Sequence, residues 1–180
     1  MNQLVSWTLG TIRADEPMMS WMEERRFEWV PLVRAAIAHL MNGAALIVVT
    51  DKEREWFGNY LVSMLNRPDR GRPMLPVFSA SGLLHHLDRM TGSEEIDLIN
   101  NMLSLTLCNH YVFWYIGRSD DVRARLPKKT DDSFLWVMDE EIQNSFFLRS
   151  GDDLLDIKLM HLARLFDRTI DAVMFGEVNI

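Results

Sequence analysis

The sequence predicts an α/β protein: a three-layer α/β/α sandwich around a mostly parallel sheet of about five strands. Three observations carry this. Ala45-Leu46-Ile47-Val48-Val49-Thr50 is apolar on both faces, as a central strand of a covered sheet must be. Tyr111–Ile116 and Phe134–Met138 are short runs rich in β-branched and aromatic residues. Segments of helical period separate these runs, the alternation that builds a parallel sheet. The chain of 180 residues, 48% of them hydrophobic, suits one domain over 1–180 with a proper core.

Taken in order, residues 2–13 read as an amphipathic helix with Leu4, Val5, Leu9 and Ile12 on one side. Residues 21–41 form a longer helix with a stripe of Leu32, Ala35, Ala36, His39 and Leu40, stopped at Asn42-Gly43. After the first strand, Thr50 and Glu53 match a capping box. The helix they start runs to about Leu65, with Trp56, Tyr60 and Met64 at i, i+4, i+8. Pro73 to Ser79 is a weaker strand, and its prolines make it short or place it at an edge. Ser81–Met90 and Ser93–Leu107 read as helices split by Thr91-Gly92. Ser119–Leu126 is a short helix stopped by Pro127, and Phe146-Phe147-Leu148 a short fifth strand. Asp152–Phe175 is a long helix with Asp152 and Asp153 at its positive end.

Ligands of open parallel sheets bind beyond the C-terminal strand ends. There the sequence offers Thr50-Asp51-Lys52, Ser79-Ala80-Ser81, Gly117-Arg118-Ser119 and Asp139-Glu140-Glu141. None is a Gly-rich phosphate loop, so no dinucleotide, nucleoside triphosphate or other cofactor is expected. Asp51 and Asp139 are the sharpest enzymatic candidates, as a Mg²⁺ pair. The plainer reading gives Asp51 a helix start and makes 139–141 a solvated acidic turn, with no metal and no catalytic residue. His85-His86 point about 100° apart on a helix, which does not make a metal pair. His110 lacks a ligand partner at metal spacing, and no Gly-x-Ser-x-Gly elbow is present.

The net charge is −7, and it is uneven: −2 over 1–60, +2 over 61–130 and −7 over 131–180. An acidic C-terminal third argues against direct nucleic-acid binding and suits a partner with a basic face. The single cysteine, Cys108, reads as a small buried residue in a reducing compartment. With no secretory signal pattern and no membrane span, the cytoplasm is the expected location. The apolar surplus is more informative. Leu155, Leu159, Leu162, Phe166, Ile170 and Val173 make one stripe of the last helix, and Leu154, Ile157, Leu165 and Met174 widen it. Trp7, Met18, Met19, Trp21 and Met22 cluster before the first strand. Both features point to self-association.

Several stretches resemble the HobA family of bacterial replication regulators. Trp21, Glu23, Arg26, His39 and Asn42-Gly43 fit its entry to the first strand. Asp51, Arg54, Trp56-Phe57, Asn59-Tyr60, Ser63 and Leu65-Asn66 fit its next helix. Arg72-Pro73, Phe113-Trp114 and Gly117 follow, then Ser133–Trp136, Leu154-Leu155-Asp156, Lys158-Leu159 and Leu165-Phe166. The resemblance implies a sugar-isomerase-like fold, a homotetramer, and binding to the N-terminal domain of the initiator DnaA, a role and fold similar to those of DiaA. It implies a non-enzymatic scaffold that holds several DnaA molecules at the origin. The alternative is a sugar-phosphate isomerase or phosphosugar sensor, with hydroxyl-rich loops at Thr50 and Ser79–Ser81. Residues matched to the family, expected to be exposed and not needed by the core are Arg54, Asn59, Asp152 and Asp156. These are the expected partner-binding residues.

Overall fold

The computed structural model describes residues 2–15, 17–84, 87–89, 92–107, 109–130 and 132–180. Cys108 and the His85-His86 pair lie outside the described residues. The chain forms two compact units, Met1–Ala38 with Gly151–Ile180, and His39–Ser150.

The unit His39–Ser150 holds the sheet. Its strands are β1 (Ala45–Thr50), β2 (Val77–Ser79), β3 (Tyr111–Arg118), β4 (Phe134–Met138) and β5 (Ser145–Leu148). They run in the order β2-β1-β3-β4-β5, and every pairing is parallel. This is the α/β sheet that the apolar runs predict. All of β1 and β4 is buried, because helices cover both faces. On one face Ile47, Val49, Phe113, Tyr115 and Val137 pack with Ile96 and Leu103 of α5 (Ser93–Thr106). On the other lie Trp114, Phe134 and Trp136, and Phe57 of α3 (Glu55–Leu65) reaches Trp136 at 6.4 Å between ring centroids. Gly58 lets α3 approach closely: a Cβ there would stand 2.9 Å from Thr50 Cγ2.

Short β2 is an edge strand, as its prolines require. Pro76 cannot donate to the ladder, but its carbonyl accepts the Leu46 N–H at 2.8 Å. Gly43, with φ +85°, supplies the left-handed turn that stops α2 (Met22–Met41).

Several boundaries differ from expectation. Asp51, not Thr50, caps the chain after β1: its side chain accepts the Arg54 N–H, and a 3₁₀ turn, Lys52–Arg54, precedes α3. The buried face of α3 is Phe57, Gly58, Leu61, Met64 and Leu65, so Trp56 is left 47% exposed. The helix expected over 81–90 is only one turn, α4 (Ala80–Leu83), followed by a 3₁₀ turn at Leu87–Arg89. Gly82 weakens it, and Leu84 is extended. Pro127 does not stop a helix; it sits in the first turn of α6 (Arg125–Lys128), where no intrahelical amide is needed. In α2 the buried face is Met22, Trp29, Val30, Val33, Ala36, Ile37 and Leu40, which leaves Ala35 exposed.

The other unit contains α1 (Asn2–Ala14), most of α2, and α7 (Leu155–Met174). Leu4, Thr8 and Ile12 form the buried stripe of α1. On α7, Leu155, Leu159, Leu162, Phe166 and Ile170 are buried, as their spacing predicts. Arg168 pairs with Asp15 at 2.6 Å, and Arg13 with Glu23 at 3.1 Å. Gln3 donates to the Glu177 carbonyl at 3.3 Å, tying α1 to the chain beyond α7. In the N-terminal cluster Met19 and Met22 are core residues, whereas Met18 is 61% exposed.

His161 of α7 is largely buried, and its Nδ1 has no hydrogen-bond partner among the described residues. Burial, then the nearby Arg164, holds it below the ordinary imidazole value of 6.5, with Asp15 opposing. The unfolded chain therefore binds this proton more readily than the folded one. The stabilisation is present above about pH 6.5 and is lost as pH falls through and below it. A His161→Gln variant is expected to show a flatter fall in stability from pH 7 to pH 5, checked by urea unfolding at each pH. An unchanged slope would refute it.

Candidate functional site

The C-terminal strand ends are where a parallel sheet offers chemistry. Here several of the polar groups at these ends are engaged by the chain's own side chains. Asp51, at the end of β1, is 2% exposed. Its Oδ1 accepts the Arg54 N–H at 3.0 Å, and its Oδ2 accepts Arg54 Nη1 at 2.6 Å and the Arg118 N–H at 2.8 Å. Gly117 permits this approach, because a Cβ there would stand 2.7 Å from Asp51 Oδ2. Arg123 donates to Asp88 at 2.5 Å and to the Thr50 carbonyl at 3.3 Å, and pairs with Glu55 at 3.4 Å. The Tyr115 hydroxyl donates to the Arg118 carbonyl at 2.6 Å, and burial raises its pKa.

Asp139, at the end of β4, has φ +65°. It accepts both the N–H and the hydroxyl of Ser150, and these bonds hold its carboxyl below the usual range. It thus closes a turn, as the plainer sequence reading has it. Asp51, Lys52, Glu53, Arg118, Asp120, Asp121 and Val122 line a depression of about 740 Å³. Three backbone donors in and beside it are used internally: the amides of Arg54 and Arg118 by Asp51, that of Arg123 by Asp121 at 2.8 Å. These three amides already hold fixed carboxylates and are not offered to a phosphate. The Ser79 and Ser81 hydroxyls are bonded to each other at 2.7 Å. Among the described residues, no three His, Cys, Asp or Glu side chains converge on a metal-sized site.

The four expected partner residues divide between the units. Arg54 and Asn59 lie in one, Asp152 and Asp156 in the other. Asn59 and Asp156 are exposed. Arg54 corrects the expectation of exposure: it is 6% exposed, because its guanidinium is the counter-charge of buried Asp51. Asp152 is half-buried and lies in the turn before α7, not in its first turn. It accepts the Leu154 N–H at 2.9 Å and pairs with Lys158, whose Nζ sits 5.1 Å over the Trp21 ring. Leu154 and Ile157, which widen the apolar stripe of α7 beyond one face, are 54% and 52% exposed. Spacing contained the signal: Ile157 lies two residues from both Leu155 and Leu159, about 200° around the helix from each.

The fold and its strand ends define a parallel α/β protein whose strand-end depression is bordered by the chain's own internal ion pairs. The chain belongs to the HobA family of DNA replication regulators, whose model matches residues 1–180. It is 31% identical over 165 residues to the DNA replication regulator protein HobA of Helicobacter pylori, covering 89% of this chain and 87% of that protein. Its fold is similar to a crystal structure of a HobA–DnaA (domain I–II) complex from Helicobacter pylori, with TM-score 0.77, 27% identity and 97% of each chain covered. It is also 29% identical over 122 residues to a probable nicotinate-nucleotide adenylyltransferase of Cytophaga hutchinsonii, covering 67% of this chain and half of that one. No helix among the described residues is long and apolar enough to cross a membrane.

Proposed function

We propose that this regulator acts in the cytoplasm by binding the N-terminal domain of DnaA, without catalysis of its own. The likeness along nearly the whole chain to the HobA partner of a HobA–DnaA (domain I–II) complex supports this most directly. The strand ends agree, since the amides of Arg118 and Arg123 are committed to Asp51 and Asp121 rather than to a phosphorylated substrate. As a homotetramer the protein presents equal sites, and linked sites raise avidity by about 10²–10⁴ without new contacts. Several DnaA molecules are then held close enough to assemble at the origin.

The test is light scattering of the protein, alone and mixed with the DnaA N-terminal domain, over a range of salt. The expected result is a particle of about four 21.0 kDa protomers that gains mass with the domain, less so as salt rises. A monomer mass, or no gain at low salt, overturns the reading. Phosphosugars are expected to leave the melting temperature unchanged.

A further inference from the structure

We infer that Leu154 and Ile157, bordered by Asp153 and Asp156, form the anchor by which α7 docks its protein partner. This rests on the proposed DnaA reading and names the surface for it. Each apolar side chain is more than half exposed, Leu154 at 54% and Ile157 at 52%. Leu154 is the residue just before α7 and Ile157 lies in its first turn, three residues on, so the two apolar side chains are near neighbours. The core does not use them: Leu155, Leu159 and Leu162 face inward in their place.

The charges around the spot select the occupant. Asp152 is engaged by the Leu154 amide and by Lys158, and Lys158 lies against Trp21. The local cation is thereby neutralised, and exposed Asp153 and Asp156 set the sign of the rim. A second copy of the same patch would bring these carboxylates against like charges, so self-pairing is disfavoured. The fitting partner has an apolar cleft edged with lysine or arginine. The occupant is therefore such a face on the DnaA N-terminal domain. An apolar centre with a charged rim divides the work: the centre supplies most of the affinity, and the rim supplies steering and salt dependence.

The experiment titrates the isolated DnaA N-terminal domain onto the full chain at several salt concentrations. It compares the natural protein with Leu154→Ala/Ile157→Ala, Ile157→Leu and Asp153→Lys/Asp156→Lys, with mass and circular dichroism checked for each. Because the substituted residues are exposed, folding is expected to be retained. The alanine pair is expected to weaken binding about tenfold or more with an unchanged salt slope, and Ile157→Leu to bind normally. The lysine pair is expected to weaken binding and flatten the salt slope. Normal binding by the alanine pair, while the natural protein binds, overturns the anchor and leaves the DnaA reading standing. An alanine pair that loses its assembled mass also overturns it, because the patch is then a self-interface. No binding by the natural protein overturns the DnaA reading itself.

Discussion

Replacing Arg54 with alanine is expected to lower stability by about 3–5 kcal/mol, the cost of leaving one partner of a buried ion pair alone. The side chains of Arg54 and Asp51 are 7% and 3% exposed, and their charges meet at 2.6 Å. Without the guanidinium, Asp51 keeps only the amide bonds from Arg54 and Arg118. Water reaches it poorly, because Gly117 and its neighbours close over it. Urea unfolding measures the loss, and a change below about 1 kcal/mol would refute the buried pair. A double variant, Asp51→Asn with Arg54→Met, is expected to lose less than Arg54→Ala alone, since no charge is stranded. Arg54 is accordingly a poor reporter of partner contact: weak DnaA binding by Arg54→Ala would first signal a damaged fold.

Trp136→Ala is expected to cost about 3–5 kcal/mol and to lower the unfolding midpoint by roughly 6–20 °C. Trp136 is fully buried in β4. It meets Trp114 edge-on at 5.0 Å and Phe134 at 5.7 Å, with Phe57 of α3 at 6.4 Å. Alanine leaves a cavity among three rings that cannot collapse together, and it removes edge-to-face contacts worth roughly 0.5–1.5 kcal/mol each. Trp136→Phe is expected to cost less, since it keeps one ring in place. Thermal unfolding followed by circular dichroism checks both, and a drop below about 2 °C for Trp136→Ala would contradict this packing.

The strands and long helices were legible because their signals are local. A run such as Ala45–Thr50 has no polar face to leave in water, whatever surrounds it, and Gly43 ends α2 by a backbone angle that most residues avoid. The short elements were less legible. Pro127 reads as a stop, but a proline is equally at home in a first turn, and only the position of that turn decides. The start of α7 moved from Asp152 to Leu155 because the Asp152 carboxylate bonds the Leu154 amide and Lys158 in a preceding turn.

The sequence by itself determined the fold class, the acidic C-terminal third, the absence of a Gly-rich phosphate loop and the family resemblance. All of these reside in residue types and their spacing. Only the tertiary structure decided which groups remain available to a partner. Arg54 was expected outside, and a carboxylate three residues earlier drew it inside. Leu154 and Ile157 widen the apolar stripe in the sequence, and only the rotation of α7 shows that these two members of it lie outside. Burial depends on which way a helix face turns and on which charges meet across the fold. Neither is encoded in the residue alone, because both are settled by packing against segments distant in sequence.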